Sequence, residues 1–191
     1  MLAMISSAKA AIVINEVDYL NTIGNDRVEI FNNGATTVDI SSWWFCSRFS
    51  YVQLSGQTLT SGSLNLGAGQ IAVLTLSIDL NDVSADFGLF NTNSFGTASA
   101  MESFVQWGTA TDVGRVDVAV AKGIWSGGPT VYDFVATATG ADTLQYDGSG
   151  DGVGNWSNAA SSIGVANTVP EPSSAAMLGL GVMLILRRKR S

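Results

Sequence analysis

Between Ala11 and Asn158 apolar side chains recur at every second position, in short runs separated by glycine-rich turns. "RVEIF" (27–31) sets Val28 and Ile30 on one face and Glu29 on the other, the period of a half-buried strand. "AIVINEVDY", "TVDI", "YVQL", "SLNL", "QIAVLTLSI", "SFVQW", "VYDFVA" and "TLQY" continue the series, and "NNGA", "GAG", "SGGP" and "DGSGDG" break it. The piece "RVDVAVAKG" reads either as one more strand or as a helical turn. No other stretch before the tail has a helical period over ten residues. Short strands at this spacing predict an all-β, antiparallel β-sandwich. The 21 glycines, the 13% of charged residues and the 46% of hydrophobic ones fit many strands and turns around a real core.

Composition removes whole classes of chemistry. The chain has no histidine, so Ser-His and Cys-His nucleophile pairs and His-ligated metal sites are excluded. Its one cysteine, Cys46, cannot form an intrachain disulfide and reads as a small buried apolar side chain. The net charge of −7 is uneven: Arg187, Arg188, Lys189 and Arg190 against Glu171 give the last 22 residues +3, leaving −10 on the rest. An acidic body argues against nucleic acid as a partner, because phosphate binding needs a basic footprint.

The C-terminal stretch "VPEPSSAAMLGLGVMLILRRKRS" orders a Pro-Glu-Pro bend, an apolar run and a basic end. Ala175–Leu186 is uncharged over 12 residues. As a helix it would span about 18 Å, short of a hydrocarbon core of about 30 Å. It could insert only marginally, with the basic end snorkelling on the cytoplasmic side. The tripartite order resembles the PEP-CTERM sorting signal of Gram-negative bacteria. Residue by residue, the resemblance covers Pro170, Glu171 and Pro172, then the run containing Ala175, Leu178, Leu180, Val182, Leu184 and Leu186, then Arg187, Arg188, Lys189 and Arg190. It implies processing by an exosortase, an integral-membrane cysteine protease, after transient insertion in the inner membrane.

At the other end, Ala8 and Ala10 offer the small-x-small pattern of a signal-peptidase site, but only "MLAMI" precedes "SSAKA". The expectation is that 1–10 is the remnant of a longer signal peptide whose start lies upstream of Met1. The predicted organisation is then signal remnant 1–10, β-sandwich 11–158, linker 159–169 and sorting signal 170–191 with its short apolar helix.

The body also resembles the lamin-tail domain, an immunoglobulin-like β-sandwich of nuclear lamins and bacterial secreted proteins. The resemblance is carried by "INEVDY", "DRVEIFNNGATTVDISSWWF" and "LNLGAGQIAVL", with Asn15, Glu16, Glu29, Asn32, Gly34, Val38, Asp39, Ile40, Trp43 and Gly69 on the motif positions. "WWF" at 43–45 is bulkier than the family's single Trp.

Three sets of side chains are candidates for chemistry. Trp43 and Trp44 are neighbours, so one should enter the core while the other is covered by a loop or left as a stacking platform for a sugar. Trp107, Trp125 and Trp156 stand beside glycine turns and read as packing anchors. In "DGSGDGVGNWSN", Asp147, Ser149 and Asp151 fit the first positions of a calcium loop, but Asn158 stands where a bidentate Glu is needed. The favoured reading is an Asp-rich β-turn, with weak calcium binding as the alternative. Glu16, Asp18, Glu29 and Glu102 lie on predicted strands. A carboxylate-dependent hydrolase is the least favoured reading, since nothing marks a cleft around them.

The sequence thus points to an exported, non-catalytic module with no cofactor beyond that calcium alternative. The expected role is structural or adhesive, at the cell surface or in the extracellular matrix, with surface polysaccharide or other envelope proteins as partners. The alternative is a glycan-binding module.

Overall fold

The computed structural model of the protein describes residues 12–21 and 26–167. Over these the chain is almost all β, with several antiparallel sheets and one short α-helix. The largest sheet has six strands. In spatial order they are β14 (Trp156–Ala160), β13 (Asp142–Tyr146), β1 (Ile12–Asp18), β2 (Arg27–Asn32), β8 (Ile71–Thr75) and β6 (Thr58–Gly62). A four-stranded sheet runs β10 (Met101–Trp107), β9 (Ala85–Phe90), β4 (Trp44–Ser47) and β5 (Ser50–Gln53). Two small ribbons pair β3 (Val38–Asp39) with β7 (Asn65–Leu66), and β11 (Gly127–Gly128) with β12 (Val131–Tyr132).

The two large sheets share one hydrophobic core. Ile12, Ile14, Val28 and Ile30 contribute from the first, and Phe45, Phe87, Phe104 and Trp107 from the second. Phe45 stacks on Phe87 at 4.8 Å between ring centroids, and Tyr19 lies 4.5 Å from Trp107. The Ser103 hydroxyl accepts a hydrogen bond from the Ile14 amide at 3.1 Å, tying β1 to β10. Trp107, Trp125 and Trp156 are buried, and Cys46 is buried beside Phe45. Burial holds the Cys46 thiol up at a pKa of about 12, with the Asp86 carboxylate adding to the effect.

The ambiguous segment is a helix, α1 (Val116–Lys122). Val116 and Ala119, three residues apart, share a buried face, and Val118 is buried as well. Asp117 in the first turn and Lys122 in the last suit the helix dipole, and Gly123 at φ 85° ends it by returning its amide to Ala119 and Val120. Gly108 shows a second use of glycine. Its φ is +75°, and a Cβ there would collide with the carbonyl oxygen of Val83.

The predicted boundary at 158 moves. β14 continues to Ala160, and residues 161–167 lie on the outer face of the six-stranded sheet, bonded to β1 and β2. In its described part, the segment read as a linker belongs to the folded body. Among the described residues no helix is long and apolar enough to cross a membrane. Ala8, Ala10, Pro170, Glu171, Pro172 and the apolar run with its basic end lie outside the described residues.

Candidate functional site

The densest polar cluster sits on the outer face of β1 and β2. Glu16 and Glu29 are partners across the two strands, and a bulge between Ile14 and Glu16 inserts Asn15 beside them. All three are fully buried. Period two explains why the glutamates point away from the core while Val17 and Val28 point into it. It does not explain why they are out of water. The cover is the chain from 161 to 167.

The contacts are specific. Glu16 Oε1 accepts from Thr143 Oγ1 (2.7 Å), Ser161 Oγ (2.9 Å) and the Ser162 amide (3.0 Å). The Ser162 hydroxyl lies between Glu16 Oε2 (2.6 Å) and Asn167 Oδ1 (2.7 Å). Glu29 accepts from Asn15 Nδ2 (2.6 Å) on one oxygen and from the Gly164 amide (2.7 Å) on the other. Asn167 Nδ2 donates to the carbonyls of Asn15 (2.9 Å) and Tyr146 (3.1 Å). Burial raises the Glu29 pKa, opposed by the Gly164 and Asn15 hydrogen bonds, with the neighbouring Glu16 pushing it up further. Hydrogen bonds to carboxylates are the stronger kind, and they offset the cost of burying this pair without a cation.

The other carboxylates read from the sequence are also engaged. Asp18 pairs with Arg27 at 2.5 Å. Glu102 accepts from Asn91 at 2.5 Å and faces Lys122 at 3.9 Å. The structure brings Glu16 and Glu29 together but leaves Glu102 elsewhere, on β10.

The tryptophan pair does not divide as expected. Neither Trp43 nor Trp44 enters the buried core; both are partly buried against it, and the next residues, Phe45 and Cys46, are fully buried. Trp44 meets Phe95 edge to face at 5.8 Å, and Phe95 also stacks on Tyr51 at 4.0 Å. The pair is packed on by its own neighbours.

A different aromatic is open. Phe49, 54% exposed, tips the β4–β5 hairpin. Arg48 and Phe49 both have positive φ, 48° and 63°, which non-glycine residues rarely adopt. The buried Asp86 carboxylate holds the turn by accepting from the amides of Arg48 (2.8 Å) and Arg115 (2.5 Å). The Arg115 guanidinium sits 5.0 Å from the Phe49 ring centre and bonds the Tyr51 hydroxyl. Period-two reading offers no signal for this tip, because the hairpin joins two strands through an Arg-Phe pair instead of the usual Asn-Gly.

The Asp-rich loop is a self-bonded turn. Asp147 Oδ1 accepts from the amide (2.8 Å) and hydroxyl (2.9 Å) of Ser149, and Asn155 Nδ2 lies 3.3 Å from it. This is the Asx arrangement favoured from sequence. Asp151 makes no hydrogen bond to Asp147 or Ser149, and among the described residues no group of three or more acidic or thiol side chains could hold a metal ion.

What remains is the segment that follows Asn167. Residues 168–190 match the PEP-CTERM protein-sorting motif. The match spans the whole tripartite tail, so Pro170, Glu171 and Pro172 and the basic end fall inside it. It supports an exosortase substrate, and it implies export and sorting to the cell envelope. No curated protein and no solved structure matches the chain.

Proposed function

We propose that this protein is an exported, non-catalytic β-sandwich module with an immunoglobulin-like, lamin-tail-type arrangement, serving a structural or adhesive role in the envelope or extracellular matrix. The match of 168–190 to the sorting motif carries this reading. The fold is compatible with it: an antiparallel β body in which Glu16, Asp18, Glu29 and Glu102, the strand carboxylates read from the sequence, each hold a hydrogen bond or an ion pair. The test is mass spectrometry of the native protein from cell and medium fractions, which fixes both mature ends. Mature exported protein should lack the basic end; a C-terminus still at Ser191 overturns the reading.

A second reading, a carbohydrate-binding module, draws on the hairpin tip. Exposed Phe49 beside the Arg115 guanidinium offers an aromatic face and donors to a sugar ring. A glycan array with and without EDTA tests it. Saturable binding lost in Phe49→Ala would establish the tip as the site, and EDTA sensitivity would point to the Asp147 loop instead.

A further inference from the structure

The root of the sorting tail is fastened by the buried glutamates. Only Thr168 and Val169 separate Asn167, which is bonded to the sheet, from Pro170. Three residues reach at most about 10 Å when extended, which bounds the distance between Asn167 and the start of the motif. Apolar packing contributes little to that fastening. Val165 is 69% exposed, and Ser161 and Gly164 are exposed as well. The segment is held by donors aimed at two carboxylates: Ser161 and Ser162 at Glu16, Gly164 at Glu29, with Asn167 bridging to β1 and β13.

We propose that Glu16 and Glu29 are positioning residues for tail processing: they clasp 161–167 to the outer face of the sheet and set how far the sorting motif stands from the body. The inference rests on the sorting reading of 168–190. A protease needs an extended, accessible stretch around its target. The clasp withholds that stretch, limiting the lead before Pro170 to residues 168 and 169. Its release would extend the lead back to about Ser161 and speed processing.

The experiment uses the full chain and two readouts. In purified protein, hydrogen exchange is followed at the Ser162 and Gly164 amides, which donate to the two glutamates. In the Glu16→Ala, Glu29→Ala double variant, exchange across 161–167 should rise about tenfold or more, while Val28 and Ile30 keep their protection. The Glu16→Gln, Glu29→Gln pair should restore part of the protection, because an amide oxygen still accepts. In cells, the fraction of chain processed at a fixed time after synthesis should rise severalfold in the Ala pair. It should rise equally when a ten-residue Gly-Ser insert separates Asn167 from Thr168 in the native background. The insert leaves the sheet untouched, so the test survives even if the Ala pair folds poorly. Unchanged exchange in the Ala pair overturns the clasp. A freed segment and a working insert with wild-type processing rates overturn the positioning role. A wild-type tail that stays intact in cells overturns the sorting reading itself, while the exchange result still decides the clasp.

Discussion

The two faces of β1 and β2 are equally dry and are made so by opposite means. On the inner face Ile14, Val17, Val28 and Ile30 are buried because transfer of apolar surface from water is favourable. On the outer face Glu16 and Glu29 are buried against that preference, and almost every polar atom has a partner. The inner face tolerates any well-fitting hydrocarbon. The outer face is tolerable only while the chain from 161 to 167 supplies its donors. One kind of burial belongs to a strand pair, and the other requires two parts of the chain about 135 residues apart in sequence to meet.

The strongest way to break the contrast is at the apolar side. Trp107 is fully buried, packs on Tyr19 and donates its indole N–H to the Asn81 carbonyl at 3.0 Å. Trp107→Ala should cost about 3–5 kcal/mol in denaturant unfolding. A loss below about 1 kcal/mol would mean that the sheets do not pack through this ring.

Asp26, just before β2, shows what happens when polar burial is left incomplete. It is fully buried, one oxygen accepts from the Leu80 amide at 2.6 Å, and the other has no partner among the described residues. Burial above all raises its pKa to about 7, with the Leu80 hydrogen bond opposing and Asp79, Asp82 and Asp18 adding to the rise. Because the folded value exceeds the unfolded one, the folded state holds more protons between roughly pH 4 and 7. Stability should therefore fall as pH rises through that window. Asp26→Asn should remove most of this fall in a Tm-against-pH series; an equally steep series in the variant would show that Asp26 is not its source.

Glu29→Ala tests the satisfied side. It strands the Asn15 amide and the Gly164 N–H, and should cost about 1–3 kcal/mol. Glu29→Gln should lose less, since one acceptor remains. If the two variants unfold at the same denaturant concentration, the hydrogen bonds are not what sustains this face.

The smallest effect is expected at the Asp147 turn, which is exposed and bonded only to itself. Asp147→Ala should cost about 0.5–1.5 kcal/mol, the range for one lost local hydrogen-bond set. Millimolar calcium should leave the Tm of the native protein unchanged; a clear rise that Asp147→Ala abolishes would establish a calcium loop there.

Much of this was legible in the residues. The alternation of Val28, Glu29 and Ile30 places each on its observed face, and the tryptophans beside glycine turns are buried. The tail's order of bend, apolar run and basic end leads to the matched motif. "VDVAV" misleads because its alternation suits a strand, while Gly123 and the charges at either end suit a helix. The Trp43–Trp44 expectation failed because alternation fixes only that the two rings take opposite faces, not how deeply either is covered: both stand at the start of the strand, partly buried against the core. β4 begins at Trp44, and the residues that follow it, Phe45 and Cys46, are the fully buried ones.

The sequence by itself determined the β architecture, the absence of histidine chemistry and the sorting tail, because each is written in neighbouring residues: a period, a composition, a contiguous motif. Only the tertiary structure decided that the tail's root is part of the fold. "SSIGVAN" (161–167) reads locally as a linker, rich in small residues with a glycine at its centre and no sustained strand or helix period. It becomes structure because the glutamates of β1 and β2 wait at the far end of the chain's return, and a hydrogen bond between such distant residues has no local signature.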